Sequence, residues 1–573
     1  MANKNALLGS TKIKVENMSG FDKSSFNQLS APLGALIPIK KQLVLPGNVH
    51  CRLKIAAQIP PLATDAFLRT HLKCEAFFVP LRLCYGGFQS FFAGTDVVEY
   101  DSGGNVTRYR AKLPRLEVFL TGSAAGDSHQ KSQKTFNALY GPQSLLDYLG
   151  VRKQLDSSGN VDLQYIAQEA NDNHSEYYNV FPVISYQLIY DHFYRNKNVE
   201  QQLFCPPVAG SDYITHGGYI PFVAYKDKHS CKYTATTGYE TAGTSGFGSS
   251  HGATANLFNG HLLQLRYRNY GDDYFTTCMP SAQEGNPISI STSGGSFTIA
   301  ALRAANALQE FAEVNQYAAA DYVQACAARY GVSPSDGVAQ KPVCVGSVDF
   351  PMFTSGVEQS GYATSSANPF TTVGARYGRA HAEGSDFVCE FSAKEPGYFM
   401  ILASVVPEAN YAQGVVRDMR IFTEEGSITD LPTPKLENTG LEPVYREELD
   451  AVEQTKDTVF GYQPRYMWHK IGCMNEVHGL LRKGASLASF AAQRGIAIGP
   501  NLGHAFLAVK STDLDNVMAT SGALSQYGVI IDSKCELFVS EPLGESKLPS
   551  LVDPAAEHGH SVYLKVGGSV FNG

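Results

Sequence analysis

Alternation of apolar and polar positions is strongest towards the two ends of the chain. From His50 to Ile59, residues Cys51, Leu53, Ile55, Ala57 and Ile59 fall on one side, and Arg52 and Lys54 on the other. This period of two predicts a half-buried strand. Leu72 to Val79 reads as a second strand, stopped by Pro80. Gly397 to Val406 is apolar throughout and ends at Pro407, and Tyr527 to Val539 and Ser561 to Phe571 supply further strand patterns. Between these ends the pattern changes. Phe181 to Leu203 mixes aromatic and polar residues, with helical spacing at Ile184, Leu188 and His192. Residues 299–330 form the clearest helical segment: Ala-rich, with Leu302, Leu308 and Phe311 on neighbouring faces, Gly331 as a C-cap and Pro334 beyond it. Residues 205–262 are rich in Gly, Ser, Thr and Tyr and read as a surface excursion. Residues 1–45 show small apolar clusters without a period and read as an extended basic arm ending at Pro46-Gly47. No tandem repeat is present.

Strands at both ends with long mixed segments between them predict a mainly β fold. We expect a β-sandwich or jelly roll over residues 46–573, one domain with long inter-strand insertions containing some helix. No βαβ alternation is visible, which argues against a doubly wound enzyme fold. Composition agrees: 43% of residues are hydrophobic and only 17% charged, with 31 Tyr and 31 Phe, a balance that suits large buried or protein-covered surfaces. The longest apolar run, Tyr398 to Val406, falls well short of the roughly 18 residues of a membrane helix, so no membrane insertion is expected. The opening residues lack the apolar core of a signal peptide. The 11 cysteines are odd in number and include no C-x-x-C pair, so neither a zinc ribbon nor a disulfide framework is expected, and reduced thiols are the default.

Charge is unevenly placed. The chain carries net −8, yet residues 1–55 carry +6, residues 421–460 carry −7 and residues 461–494 carry +4. A basic arm and one basic late segment suit contact with nucleic acid on one side.

Catalytic motifs are weak. Tyr270-Gly271-Asp272-Asp273 has the form of a polymerase metal hairpin, but no partner carboxylate is evident upstream, and a turn before a strand explains it as well. Gly248-Ser249-Ser250-His251-Gly252 fits G-x-S-x-G without the buried strand that a nucleophile elbow requires. His558 and His560, and Glu476 and His478, lack the spacing of helical zinc ligands. Glu424-Glu425 and Glu447-Glu448 are adjacent pairs, whose side chains point apart. No catalytic residue, cofactor or metal is therefore expected. Basic–aromatic interleaving is the more interesting signal. It occurs at Tyr186, Tyr190, Phe193, Tyr194 and Arg195, at Arg266, Tyr267 and Arg268, and at Arg465, Tyr466, Trp468 and Lys470. Cations that neutralise phosphate and rings that stack on bases suit single-stranded nucleic acid. The competing reading is buried rings with snorkelling cations, or a subunit interface.

Several short motifs, in order, carry a resemblance. They are Leu36-Ile-Pro-Ile39 with Val44-Leu-Pro-Gly47; Glu75-Ala-Phe-Phe-Val-Pro-Leu-Arg82; Tyr186 to Arg195; and Asp273-Tyr-Phe-Thr276 with Pro280, Gln283 and Gly285. Leu302-Arg303 with Gln309, Arg329-Tyr-Gly-Val332 to Gln340-Lys-Pro342, and Gly461-Tyr-Gln463 with Val477-His-Gly479 and Arg482 complete the series. Together they resemble the major capsid proteins of small single-stranded DNA bacteriophages, the microviruses, and most of all the gokushovirus branch. The resemblance implies an eight-stranded viral jelly roll and a single-layer T=1 icosahedral capsid that self-assembles around circular single-stranded DNA. It implies contacts with further copies around fivefold, threefold and twofold axes, and with other virion proteins such as a pilot protein and a small DNA-binding protein. A host-cell receptor is a further implied partner, with assembly in the host cytoplasm. Residues 205–262 are the expected protrusion loop, since Asn286 to Thr298 is short. Lys4, Lys12, Lys14, Arg465, Tyr466, Trp468, Lys470 and Arg482 are the expected DNA-facing residues; Tyr186, Tyr190, Phe193, Tyr194, Arg195, Arg266, Tyr267 and Arg268 are expected at an interface or in the interior. The alternatives are a β-rich carbohydrate-binding protein or glycosidase, which would purify as a small oligomer, and a polymerase working through Asp272 and Asp273.

Overall fold

In the computed structural model of the protein the described residues are 18–85, 88–94, 96–100, 106–110, 115–120, 140–162, 174–200, 230–234, 263–282, 299–317, 340–358, 376–420, 431–437, 440–451, 457–471 and 475–543, with a few isolated positions between them. The strand expected at 561–571, the Gly248–Gly252 motif, His558, His560 and all of the 205–262 excursion except 230–234 lie outside them.

Ten strands build two antiparallel sheets. They are β1 (Ser19–Asp22), β2 (Ser25–Ala31), β3 (Ile37–Val44), β4 (Gly47–Gln58), β5 (Thr70–Pro80), β6 (Val343–Pro351), β7 (Phe353–Glu358), β8 (Arg376–Ala393), β9 (Gly397–Pro407) and β10 (Val529–Glu541). One sheet has the order β1–β10–β4–β8–β7, with β2 also paired to β10; the other has the order β6–β5–β9–β3. Taking β2, β3, β4, β5, β6, β8, β9 and β10 in chain order, the path alternates between sheets except at the β5–β6 step. Their spatial orders are β2–β10–β4–β8 and β3–β9–β5–β6. That connectivity is the jelly roll, two interlocked Greek keys. The two additional strands extend its edges: β1 pairs with one end of β10 (Ser19 opposite Glu541), where β2 pairs with the other (Ala31 opposite Val529), and β7 pairs outside β8.

The core lies between the sheets. Strand β4 alternates buried and exposed along its length, and Leu53, Ile55, Ile531 and Leu537 from one sheet meet Cys74, Ala76, Ile401 and Ala403 from the other. Burial on this scale is the main source of stability, at roughly 25 cal/mol per Å² of apolar surface. Strand β9 is buried at every position because both of its faces are covered. Its second face, with Tyr398, Met400 and Leu402, packs under the helix Phe181–Ile189, together with Phe77 and Val79 of β5. Pro182 starts that helix, where the missing amide hydrogen costs nothing, and it widens into a π-helical turn at Tyr190–Tyr194. This layer belongs to the long insertion between β5 and β6. A second insertion lies between β9 and β10.

The expected arm requires correction. From residue 18 onward, residues 1–45 are not an extension but three strands of the sandwich, with Leu33, Ile37, Ile39 and Val44 in the core. The alternation is hidden in the sequence because the pairing of β3 with β9 shifts register, Ile401 facing Lys40 and Leu402 facing Pro38. The charges there serve the fold: Lys23 pairs with Glu541 at 2.7 Å, Lys40 is buried and bonds the Ser25 hydroxyl at 2.9 Å, and Lys41 donates to the Leu149 carbonyl. The expected helix over 299–330 is described as helix at Ile299–Tyr317; Gly331, with φ +69° and its amide on the Ala327 carbonyl, has C-cap geometry.

Candidate nucleic-acid interface

Two of the three basic–aromatic stretches meet in one network under the first insertion. Tyr186 donates to the Leu36 carbonyl (2.9 Å) and accepts from the Arg266 amide (2.9 Å). Arg266 Nε donates to Gln187 Oε1 at 2.8 Å, and its guanidinium stands 5.0 Å from the centre of the Tyr190 ring. Tyr190 donates to Glu200 Oε2 at 2.6 Å. Arg268 holds Glu75 and stands 5.3 Å from the centre of the Tyr194 ring, whose hydroxyl also donates to Glu75. Arg195 pairs with Asp191 at 2.7 Å, both side chains buried. Tyr267 packs half-buried on the sandwich core, its backbone bridging to Ala35. Phe193 is the exposed member; it contacts Phe77 at a centroid distance of 4.9 Å, with Lys341 Nζ at 5.9 Å. Burial pushes the Tyr186, Tyr190 and Tyr194 hydroxyls above the usual phenol range, so each stays protonated and donates. Tyr186, Tyr190 and Tyr194 are buried, the last two under the guanidiniums of Arg266 and Arg268, and are not placed to stack on bases.

The third stretch lies at the surface of the second insertion. Tyr466 is buried in a left-handed backbone conformation (φ +63°), its amide donating to Glu442 at 3.2 Å and its ring 5.2 Å from the Arg465 guanidinium. Trp468 is half-buried against the small cluster of Phe275, Tyr411, Val444 and Phe460. His469 and Lys470 are exposed, and Lys470 pairs with Glu437. Arg482 is exposed; its Nε donates to the Ala412 carbonyl at 2.8 Å. Together with His478, Tyr411 and Glu448 it lines a cleft of about 310 Å³ bordering the same cluster. Lys4, Lys12 and Lys14 lie outside the described residues.

Sequence reasoning missed the arginines that organise this insertion. Arg494 is buried, stands 4.4 Å and 4.0 Å from the ring centres of Tyr270 and Phe506, and donates to the Tyr411 hydroxyl at 2.9 Å. Arg417 and Arg420 flank Tyr445, at 5.4 Å and 4.2 Å from its ring centre. Arg417 pairs with Glu448 and Arg420 with Glu447, so the adjacent glutamates reach different arginines. Part of the acidic segment therefore neutralises cations within the chain. Burial raises the Glu448 carboxyl above the usual range against the pull of Arg417. A buried cation surrounded by rings was the available signal, but its partners lie far away in the sequence.

The polymerase reading fails on geometry. Asp273 accepts from the amides of Phe275 and Thr276 at 2.8 Å and 2.7 Å and from the Tyr411 hydroxyl at 2.6 Å, which makes it a turn cap, while Asp272 is exposed. Among the described residues no group of three or more His, Cys, Asp or Glu side chains is placed to hold a metal ion, and no helix is long and apolar enough to cross a membrane.

Residues 174–550 match the family described as capsid protein (F protein), a span that takes in the helical layer, five of the ten sandwich strands and the whole second insertion. The chain belongs to this phage capsid protein family. Capsid protein VP1 of Chlamydia phage 1 is 24% identical over 595 aligned positions, which cover 87% of this chain and 90% of that protein. For a capsid protein the networks above have a structural purpose: they lock two long insertions onto a jelly roll. The chain is a structural protein and not an enzyme, so the glycosidase and polymerase alternatives fall.

Proposed function

We propose that copies of this chain assemble into a T=1 icosahedral shell, in the host cytoplasm, around circular single-stranded DNA. Copies meet around fivefold, threefold and twofold axes. The remaining partners are a pilot protein, a small DNA-binding protein and a host-cell receptor. The observation that supports this best is the outer face of the six-stranded sheet. The four-stranded sheet has its outer face under the helical layer, whereas the six-stranded sheet leaves Phe26, Phe353, Phe387 and Phe538 exposed among Arg52, Lys54, Glu383 and Glu390. A broad face of rings and mixed charges is suited to burial by neighbouring subunits.

DNA lies on the side of Lys4, Lys12, Lys14 and the Arg465–Arg482 region. The exposed Lys470 and Arg482, with Trp468 at the margin, supply the cations and the ring that such contact uses. Residues 205–262 form the outward protrusion at the threefold axis and meet the host. Electron microscopy of purified particles, followed by mapping of ultraviolet DNA cross-links, tests both parts. Closed particles with cross-links in 465–482 are expected; cross-links confined to 205–262 would reverse the polarity, and a soluble monomer at every concentration and salt would remove the shell.

A further inference from the structure

Three buried thiols stand side by side on the inner face of the six-stranded sheet. Cys51 lies on β4, Cys389 on β8 to one side of it and Cys535 on β10 to the other. The Cys51 thiol meets both: its Sγ is 3.5 Å from that of Cys535, and it shares a hydrogen bond with Cys389. All three cysteines are free. Other buried thiols have oxygen neighbours, Cys84 at the Ser185 hydroxyl and Cys278 at the Tyr274 carbonyl, each at 3.4 Å.

Register separates the two neighbours of Cys51. Phe387 and Arg52 face each other on the outer side of the sheet, and simple alternation would send Cys389 outward as well. The pairing instead slips by one residue at Val388, so Cys389 turns inward and lies directly opposite Cys51. Opposite residues of an antiparallel pair have Cα atoms about 4.5–5.5 Å apart, inside the range of about 4.4–6.8 Å that a disulfide spans. Cys535 lies opposite Leu53, two residues off register from Cys51. Such diagonal neighbours stand about 7–8 Å apart, a separation that a disulfide bridges only if the strands move.

We propose that Cys51 and Cys389 form a cross-strand disulfide when the chain meets hydrogen peroxide, locking β4 to β8 in the middle of the sheet. One thiol attacks the peroxide, giving a sulfenic acid and one water; the other thiol attacks that sulfur, forming the S–S bond and releasing a second water. The two thiols lose two electrons in all, and one peroxide becomes two waters. The bond closes a loop that takes in β5, the whole first insertion, β6 and β7, and long loops gain most from closure. Burial keeps larger reagents away from these thiols, whereas an oxidant close to water in size enters as the sheet breathes. The same burial shields the finished bond from reducing thiols, which makes it a lock rather than a switch. Only its timing rests on the shell reading: the thiols stay reduced in the host cytoplasm and oxidise in released particles.

The test uses the full-length, unsubstituted chain, both free and in purified particles. After native treatment with hydrogen peroxide, the remaining thiols are alkylated in denaturant and the chain is digested without reduction. Mass spectrometry is expected to show a linked peptide pair carrying Cys51 and Cys389, with Cys535 alkylated, and no such pair in chain kept in dithiothreitol. The linked chain is expected to melt about 3–5 °C above the reduced one. Under the same treatment Cys389→Ser is expected to lose that gain and Cys344→Ser to keep it. Cys51 and Cys389 recovered unlinked, a link from Cys51 to Cys535, or a link without a rise in melting temperature would overturn the proposal. If the free chain links but forms no particles under any condition, the shell reading falls and the disulfide stands.

Discussion

Arg268 grips the carboxylate of Glu75 with two hydrogen bonds, of 2.8 Å and 3.0 Å, tying strand β5 to a segment 193 residues further along the chain. Four-fifths of each side chain is shielded from solvent, and the Tyr194 hydroxyl donates to the same carboxylate. Removing one partner leaves the other charged and poorly hydrated, which costs more than the pair contributes. Arg268→Ala is expected to destabilise the folded chain by about 2–3 kcal/mol, a little under the cost at a fully buried pair. Arg268→Lys is expected to recover only part of this, because an ammonium cannot hold both oxygens in a planar fork. Thermal unfolding of the two variants measures both, and a change no larger than that at a surface ion pair would contradict the account.

A second junction, between the two insertions, depends on pH. Glu200 of the first insertion accepts from Tyr190 (2.6 Å) and Asn269 (3.3 Å) and pairs with His504 of the second (3.3 Å). Burial pushes its carboxyl up, but the bonds from His504, Tyr190 and Asn269 outweigh this and hold it below its ordinary value of 4.5. A carboxyl with a depressed value in the folded state stabilises fully above its unfolded value, and that stabilisation is lost as the pH falls through the folded one. Glu200→Gln is expected to cost about 1–2 kcal/mol near neutrality, and less and less below about pH 4.5. Melting curves of parent and variant from pH 7 to pH 3 check the sign; a gap that widens on acidification would reverse it.

Thiol reactivity separates core from surface. Burial pushes the Cys84 thiol up to about 12, and the hydrogen bond with Cys389, with burial, does the same to Cys51. Cys344 is exposed. Since the thiolate is the nucleophile, iodoacetamide at mild alkaline pH is expected to label Cys344 on the order of a hundredfold faster than Cys51 or Cys84. Peptide mass mapping of the native and denatured chain gives the comparison. Equal labelling of Cys84 and Cys344 in the native chain would mean that the layer over β5 opens readily.

The strands legible in the sequence are those whose two faces differ, or whose two faces are both covered. β4 alternates cleanly because one face is core and the other solvent; β9 is an unbroken apolar run because the helical layer closes its second side. The other six strands of the sandwich were hidden, and β3 and β8 show why. In β3 the register shift at Lys40 breaks the alternation, and in β8 the inward positions are Ala380, Ala382 and Gly384, too small to register as hydrophobic. The site was half legible. Both halves of the Tyr186–Arg268 network stood out as basic–aromatic stretches, but nothing in the sequence joined them to Glu75, and Arg494 lies in no motif. Pairings between residues hundreds of positions apart are set by topology, which local pattern does not carry.

Gly384 in β8 shows why that strand needs small residues and gives the sharpest test of sandwich packing. Gly384 lies opposite Ile55 of β4, on the inward side, and the ring of Phe350 from β6 in the other sheet occupies the space where a side chain would stand. A Cβ at this position would fall 2.2 Å from Phe350 Cδ1 and Cε1. The ring is confined within the core, so Gly384→Ala forces the sheets apart or the ring off its rotamer, at about 1–3 kcal/mol. Phe350→Leu alone removes ring atoms from the core and costs about 1–2 kcal/mol through the space it leaves. The two changes compensate, because the methyl group of one enters the space vacated by the other. The double variant is therefore expected to be more stable than the sum of the singles by about 1 kcal/mol or more, as residues in direct contact couple. Unfolding of the four chains in denaturant closes this cycle. Strict additivity would place the Phe350 ring away from Gly384 and the two sheets in a different relative position.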